Sequence, residues 1–247
     1  MGDKQAGGAT AQRSAPEELR QRLVLALDVD DLVAATRLAR DLRPWFGVAK
    51  VGLELYCATG PDAVVEVANA GYQVFLDLKL HDIPTTVGRA ARVLGALGVS
   101  YLTLHAHGGA TMLREGVEGL AEGAKRAGLD PPTAVAVTIL TSDSGAPAHV
   151  LGNRVRVAVE SGCGGIVCAA SDVREAKQLA PRLVAVVPGI RLPGTSRDDQ
   201  ARASTPQAAF EAGADLLVVG RAVTAARDPV VAAAALVDGL TEDSGGA

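Results

Sequence analysis

Eight repeats of a short apolar run followed by an amphipathic, alanine-rich segment predict an α/β protein, a single-domain (β/α)8 TIM barrel. The apolar runs are continuous rather than alternating, which is typical of parallel strands covered on both faces. The amphipathic segments are about three helical turns long, and several end at a glycine, as at Gly71, Gly98, Gly128 and Gly213. An open doubly wound sheet is the alternative fold that the same repeat allows.

The elements can be assigned in chain order. We expect strands at residues 23–27, 48–53, 73–78, 101–105, 134–140, 165–169, 183–187 and 215–219. We expect helices at residues 32–42, 61–70, 86–97, 112–127, 148–161, 173–179, 200–212 and 229–237. No linker interrupts the repeat, so residues 17–240 should form one domain. The polar segments 1–16 and 241–247 are expected to be disordered tails.

Composition and charge narrow the range of partners. The chain has 247 residues, 48% of them hydrophobic, and a formal net charge of −4. No basic run marks a nucleic-acid surface, and the apolar runs are far shorter than the roughly 20 residues of a membrane-spanning helix. The three cysteines lack paired C-x-x-C spacing, which favours a reducing compartment. We therefore expect a cytoplasmic protein with a small-molecule ligand and neither nucleic-acid nor membrane partners.

The stretch Asp-Leu-Lys-Leu-His-Asp-Ile-Pro-Thr-Thr at residues 77–86 places ionisable side chains directly after a β-prone run. On an extended strand Asp77 and Lys79 point to the same face, and Asp82 follows just past the strand end. The Ile-Pro pair then precedes a helix that one of the two threonines should cap. These charges form either the centre of an active site or a solvated salt bridge on an edge strand. Apolar surroundings favour the active site, because buried charges are rarely kept for stability alone.

Charged residues also occur on the first two strands. Asp28 ends the first strand, where it could serve as a binding residue or cap the next helix. Lys50 lies inside the apolar second strand and needs an ionic partner there, for which Asp77 is the obvious candidate. The sequence thus predicts an alternating array of Lys50, Asp77, Lys79 and Asp82.

Two histidines and several hydroxyl groups end the next strands. His105 and His107 could ligate a metal, but no carboxylate adjoins them and Lys79 would oppose a divalent cation. We therefore expect no metal site. Thr138, Thr141 and Ser142 follow the fifth strand and either bind the edge of a polar heterocycle or form a turn.

The last quarter of the chain is suited to a phosphate group. In barrels of this kind, backbone N–H groups after the seventh and eighth strands often bind phosphate. Gly220 and Arg221 follow the eighth strand, and Arg191 follows the seventh. A glycine-bearing loop before Gln200 could close over the ligand. The alternative is an ordinary turn with a solvated arginine.

Taken together, these residues closely resemble the orotidine 5′-phosphate decarboxylase family. The motifs that carry the resemblance are Leu25-Ala-Leu-Asp28, Lys50-Val-Gly, the ten residues from Asp77 to Thr86, Val137-Thr-Ile-Leu-Thr-Ser142, Pro188-Gly-Ile-Arg191 with Gln200, and Val218-Val-Gly-Arg-Ala-Val-Thr224. The resemblance implies a cofactor-free decarboxylase of orotidine 5′-monophosphate that makes UMP in pyrimidine biosynthesis. It also implies a homodimer with active sites at the interface, where Asp82 and Thr86 act in the partner subunit's site.

The resemblance further implies a role for each matched residue. Lys79 stabilises and protonates C6 of the pyrimidine, Asp77 lies beside the departing carboxylate, and Thr141 meets the base. The implied catalytic residues are Lys50, Asp77, Lys79 and Asp82. The implied substrate-binding residues are Asp28, Lys50, Asp82, Ile83, Thr86, Thr141, Arg191, Gln200, Gly220 and Arg221. Because the segment after Ser142 is shorter than in many bacterial members, Thr138 and Ser142 stay open as alternatives to Thr141.

Two other functions compete with this interpretation. The first is a Mg²⁺-dependent sister activity, 3-keto-L-gulonate 6-phosphate decarboxylase or hexulose-phosphate synthase, which shares the D-x-K-x-x-D pattern. Those enzymes need a carboxylate on the second strand, where this chain has Lys50. The second is a non-catalytic barrel that binds a phosphate ligand. Such a barrel would be expected to lose the charged array, which this chain keeps.

Overall fold

A computed structural model describes residues 14–143, 145–147, 149–191 and 204–242. Its strands form a closed barrel in which each strand pairs in parallel with its neighbour in sequence and β8 pairs with β1. The strands are β1 (Leu23–Leu27), β2 (Val48–Gly52), β3 (Gln73–Leu80), β4 (Tyr101–His105), β5 (Thr133–Val137), β6 (Gly165–Val167), β7 (Val184–Val187) and β8 (Leu216–Val219). The predicted (β/α)8 barrel is therefore confirmed.

Helices surround the barrel. They are α1 (Glu17–Arg22), α2 (Leu32–Leu42), α3 (Leu53–Thr59), α4 (Asp62–Asn69), α5 (Pro84–Gly95), α6 (Gly109–Ala127), α7 (His149–Glu160), α8 (Ala170–Leu179), α9 (Pro206–Glu211), α10 (Arg221–Thr224) and α11 (Pro229–Glu242), with a 3₁₀ turn at Ala106–Gly108. Within the described ranges, no helix combines the length and the apolar character needed to cross a membrane.

Two apolar cores hold the barrel together. The larger one fills the space between strands and helices and includes Leu25, Leu76 and Leu104. The smaller one lies inside the barrel and is formed by Val24, Ala26, Val48, Phe75, Val135, Val186, Leu216 and Val218. Because neighbouring strand residues point to opposite faces, the strands contribute to both cores at once. This explains why their sequences are mainly apolar.

Several predicted bounds need correction. The second strand ends at Gly52, because the chain turns there into α3, a helix that the sequence analysis did not predict. The fifth strand ends at Val137 and not at residue 140. The helix expected at residues 200–212 is described only from Pro206, and Gln200 lies outside the described residues.

Where the structure describes residues of the two predicted tails, those residues belong to the folded domain. Ala15 is buried and its N–H donates to the carbonyl of Pro44, so it packs onto the barrel. The last helix, α11, continues through Thr241 and Glu242, which had been assigned to the carboxyl-terminal tail. The remaining parts of the two predicted tails, residues 1–13 and 243–247, lie outside the described residues.

Candidate active site

A cavity of about 480 Å³ opens at the carboxyl ends of the strands. Its apolar wall is formed by Ala26, Phe75, Val137, Ile139, Leu140, Val167, Val186, Pro188 and Val218. Its polar and charged lining consists of Asp28, Lys50, Glu54, Asp77, Lys79, Thr141, Arg191, Arg221 and Thr224, with Gly189 and Gly220. This is the end of a (β/α)8 barrel at which catalytic residues are found.

Four charged side chains in this cavity form a row of alternating sign. Lys50 Nζ lies 2.6 Å from Asp28 Oδ1 and 3.9 Å from Asp77 Oδ2, and Lys79 Nζ lies 2.8 Å from Asp77 Oδ1. The side chains of Lys50 and Asp77 in the middle of the row are only 11% and 14% exposed. Because little water reaches Lys50 and Asp77, solvent screens their charges only weakly and the two side chains interact strongly. Because β3 pairs with both β2 and β4, the edge-strand salt bridge is excluded.

Asp28 is free to bind Lys50 because another residue caps the following helix. Asp31 Oδ1 accepts a hydrogen bond from the N–H of Ala34 at 2.6 Å, which is the capping contact of α2. The alternative in which Asp28 is the cap is therefore wrong.

Gly52, at the end of β2, makes room for the Lys50–Asp28 pair. A Cβ at this position would lie 2.9 Å from Lys50 Nζ and 3.1 Å from Asp28 Oδ1. This glycine belongs to the motif Lys50-Val-Gly, but no role was expected for it. Its importance could have been inferred only from the positions of the two side chains around it.

The backbone at Lys79 departs from a regular strand. Lys79 has φ of 51°, and among the described residues it is the one non-glycine with positive φ. The pairing of β3 with β4 shifts between Leu76 and Leu80, so that three residues of β3 face a single residue of β4. The predicted strict alternation of side chains between the two faces is therefore wrong for residues 77–79. The side chains of Asp77 and Lys79 nevertheless meet.

Thr103 on β4 is a residue of this centre that the sequence analysis missed. Its hydroxyl donates to Asp77 Oδ1 at 3.0 Å and accepts from the N–H of Lys79 at 2.8 Å. The signal in the sequence was a hydroxyl residue in the middle of the apolar run Tyr-Leu-Thr-Leu-His.

The cavity is also lined by two arginines. Arg191 and Arg221 both line it, at the ends of β7 and β8. Arg191 Nη2 is buried and has no hydrogen-bond partner among the described residues, while Nη1 reaches the carbonyl of Ile190 at 3.3 Å. The N–H of Arg191 donates to the carbonyl of Ser204 at 2.9 Å. A buried, unsatisfied guanidinium nitrogen is suited to an anionic ligand.

The three hydroxyl residues after β5 differ in whether they reach the cavity. Thr138 is fully buried, and its hydroxyl donates to the carbonyl of Val167 at 2.8 Å. Thr141 lines the cavity, and Ser142 is not among the lining residues. Of the three predicted candidates, Thr141 is therefore placed to meet a ligand.

Three predicted site residues lie outside this cavity in a single chain. Asp82 is exposed, and its carboxylate accepts from the N–H of Ile83 at 2.6 Å. Ile83 is 67% exposed, and Thr86 is exposed on the first turn of α5. The residue before the helix is Ile83, so the prediction that a threonine caps α5 is wrong.

The histidines after β3 and β4 form a cluster of rings. The ring centroids of His81 and His105 are 5.5 Å apart and stacked, and His107 lies edge-on to both. Burial, followed by the positive charge of Arg154, lowers the pKa of His105 to about 4. In the part of the chain that the structure describes, no group of three or more His, Cys, Asp or Glu residues is arranged to hold a metal ion.

Comparisons with known proteins find similarity over most of the chain. The model of the family described as orotidine 5′-phosphate decarboxylase / HUMPS matches residues 21–236. An orotidine 5′-phosphate decarboxylase from Anaeromyxobacter dehalogenans is 44% identical over 231 residues, which cover 89% of this chain and 98% of that protein. One from Moorella thermoacetica is 42% identical and covers 88% of this chain and 91% of that protein. The crystal structure of orotidine 5′-phosphate decarboxylase from Lactobacillus acidophilus has a TM-score of 0.73 at 33% identity and covers 88% of this chain and 98% of that chain.

Proposed function

The chain belongs to the orotidine 5′-phosphate decarboxylase / HUMPS family, and from this we propose how its barrel carries out the reaction. The activity is the decarboxylation of orotidine 5′-monophosphate to UMP and CO2 in pyrimidine biosynthesis. The observation that carries this assignment is the row Asp28, Lys50, Asp77 and Lys79 at the mouth of the barrel. Fixed charges of this kind can stabilise a reaction centre without a cofactor.

The chemistry requires a cation beside C6 of the pyrimidine. When the bond between C6 and the carboxylate breaks, CO2 leaves and the electron pair stays on C6. The ammonium of Lys79 stabilises this charge and gives C6 a proton, and solvent then reprotonates the amine. One proton is consumed for each CO2 released, so atoms and charge balance. Asp77 holds Lys79 in place through two short contacts, which keeps the donor at one position.

The neighbouring charges bind the rest of the nucleotide. Lys50 lies between Asp28 and Asp77, so its ammonium orders both carboxylates. Asp28 is more exposed than Lys50 and is placed to accept hydrogen bonds from ribose hydroxyls. Thr141 contacts the base from the wall of the cavity. These contacts fix the orientation of C6 relative to Lys79.

The phosphate group binds at the two arginines. Arg191 and Arg221 line the cavity together with Gly220, and Nη2 of Arg191, which has no partner in the described part of the chain, is a donor that a phosphate oxygen would satisfy. Gln200 is proposed as a further phosphate ligand from the loop between them. Binding energy at this remote group can lower the barrier at C6, because it positions the base for reaction.

We further propose that residues 17–240 act as one domain of a cytoplasmic homodimer. Asp82, Ile83 and Thr86 are exposed in one chain, although the family motif assigns them to a substrate site. A second subunit would account for both observations if it brought these residues to the cavity of its partner. Asp82 would then extend the charged row, and Ile83 would be covered by the interface.

The competing activities are not favoured. The Mg²⁺-dependent sister enzymes need a carboxylate on the second strand, and Lys50 stands there with its side chain 11% exposed and bound to Asp28. A barrel that only bound a phosphate ligand would have no use for the costly burial of Lys50 and Asp77. The relatives that match most of the chain also carry the decarboxylase name.

The activity is tested by the ultraviolet absorbance change on adding orotidine 5′-monophosphate in excess EDTA. The wild type should form UMP, and K79A should lose more than about a thousandfold in kcat. K177A is a matched control, because Lys177 pairs with Asp215 at 2.6 Å at the opposite end of the barrel. K177A should keep its activity. Absence of conversion by folded wild-type protein would refute the function.

The shared site is tested by mixing D82A and K79A, each of which should be inactive alone. A mixed dimer contains one site with both residues intact, so random exchange should restore about a quarter of the wild-type sites. Subunit exchange is confirmed separately by mass spectrometry of the intact dimers, because the mixed dimer differs in mass from both parent dimers. No recovery in an exchanged mixture would show that Asp82 serves its own subunit.

A further inference from the structure

We propose that Thr103 is a positioning residue that sets the geometry of the Asp77–Lys79 pair. This inference rests on the proposed function, because it concerns the same charged row. Thr103 does not line the cavity, and it acts on the substrate only through its two neighbours.

The strand pairing around Thr103 explains why a side chain is needed there. Leu76 pairs with Leu102 and Leu80 pairs with Leu104, so Asp77, Leu78 and Lys79 all stand opposite Thr103. A bulge of this kind leaves backbone groups without their regular partners. The hydroxyl of Thr103 replaces the missing carbonyl by accepting the N–H of Lys79 at 2.8 Å.

The same hydroxyl also binds the acidic partner of Lys79. Its single proton is donated to Asp77 Oδ1 at 3.0 Å, the oxygen that lies 2.8 Å from Lys79 Nζ. One atom therefore fixes the backbone of the lysine and the carboxylate that holds its ammonium. Since Thr103 is fully buried, water does not compete for either contact.

The left-handed backbone of Lys79 is a second reason why the hydroxyl of Thr103 is needed. A non-glycine residue at φ of 51° is strained, and it keeps this conformation only when its surroundings hold it there. If the hydroxyl is removed, the N–H of Lys79 loses its acceptor and Asp77 loses a donor. The ammonium can then move away from C6, and a displacement of about 1 Å can cost about a hundredfold in rate.

A merely structural role for Thr103 makes a different prediction. Thr138 is an equally buried threonine at the same end of the barrel, and its hydroxyl donates only to the backbone carbonyl of Val167. T103V and T138V each remove one buried hydroxyl while keeping the shape of the side chain. Both should lower the thermal midpoint, but only T103V should lower kcat.

The experiment measures kcat and KM for orotidine 5′-monophosphate in wild type, T103V, T103S and T138V. We expect T103V to lose about 10- to 100-fold in kcat with KM changed by less than about threefold. T103S keeps the hydroxyl and should stay within about fivefold of wild type, as should T138V. If T103V does not fold, T103A is compared with T103S, because both lack the methyl group and only serine keeps the hydroxyl.

Each outcome has a defined meaning. Wild-type kcat in folded T103V, or an equal loss in T103S, would overturn the positioning role while leaving the decarboxylase function intact. Failure of both hydroxyl-free variants to fold beside a folded T103S would also overturn it, since the hydroxyl would then serve stability. Inactive wild-type protein would instead refute the proposed function itself.

Discussion

Replacing Gly52 by alanine should damage the active site without disturbing the fold. Gly52 has φ of −89° and ψ of −178°, an extended conformation that alanine adopts freely. The new methyl group would lie 2.9 Å from Lys50 Nζ, whereas ordinary contact begins at 3.4 Å. The ammonium must therefore retreat by about 0.5 Å, which is cheap for the end of a flexible side chain. The methyl group would also lie 3.1 Å from Asp28 Oδ1 and push that carboxylate back by about 0.3 Å, so the 2.6 Å contact between Lys50 and Asp28 would lengthen and weaken.

The size of the effect follows from that contact. A hydrogen bond between charged groups contributes about 1.5–3 kcal/mol, so weakening it by about half should lower kcat/KM by about 3- to 10-fold. The free energy of unfolding should change by less than about 1 kcal/mol. Steady-state kinetics and urea unfolding measure the two quantities. G152A is the matched control, because its methyl group on α7 would meet Leu179 at an ordinary 3.6 Å.

A double-mutant cycle tests whether Gly52 acts through the ion pair. In the D28N background the Lys50–Asp28 attraction is already weakened, so G52A should then cost much less. Wild-type kcat/KM in G52A would refute the reasoning. An undiminished loss in the D28N background would show that Gly52 acts in some other way.

Three further predictions follow from the described residues. K79G should be about 1 kcal/mol more stable to urea than K79A, because glycine tolerates the positive φ of Lys79, and equal stabilities would contradict that conformation. Burial lowers the pKa of His105 to about 4 in the folded protein, whereas an exposed histidine has a pKa of about 6.5. As the pH falls, the unfolded chain therefore binds a proton at His105 before the folded chain does. The stability that is present above about pH 6.5 is then lost as the pH falls towards 4. H105Q should thus lose less thermal stability than wild type between pH 7 and pH 5, and parallel losses would argue against this. Iodoacetamide should label Cys57 alone in the folded protein, because Cys163 and Cys168 are buried and burial raises the pKa of Cys163 to about 12; rapid labelling of a second cysteine would contradict the packing.

The fold could be predicted because most strand residues are apolar on both faces, with charged side chains such as Lys50 and Asp77 as the exceptions. Strands β1 and β4 and helix α2 have the expected bounds. Strand β1 lies between the charged residues Arg22 and Asp28, and helix α2 begins after its capping residue Asp31. The prediction failed at α3, because Leu53 continues the apolar run of β2 while the chain has already turned. Apolar character alone does not distinguish the end of a strand from the start of a helix.

The charged members of the site could be predicted because a buried charge needs a partner. Lys50 in an apolar run called for a carboxylate, and Asp28 and Asp77 both lie next to it. The supporting residues could not be found in this way. Gly52 and Thr103 act through distances to side chains on other strands, which depend on the register and the bulge of β3.

The most direct test of the central claim follows the proton that replaces CO2 at C6. The reaction is run in D2O with excess EDTA, over times in which added UMP keeps its hydrogen at C6. If Lys79 delivers a solvent-derived proton, the UMP formed by the wild type should carry deuterium at C6, seen as loss of the H6 signal in its proton NMR spectrum. K79A should form no UMP over the same period. UMP with ordinary hydrogen at C6, or formation of UMP by K79A at the wild-type rate, would contradict the account.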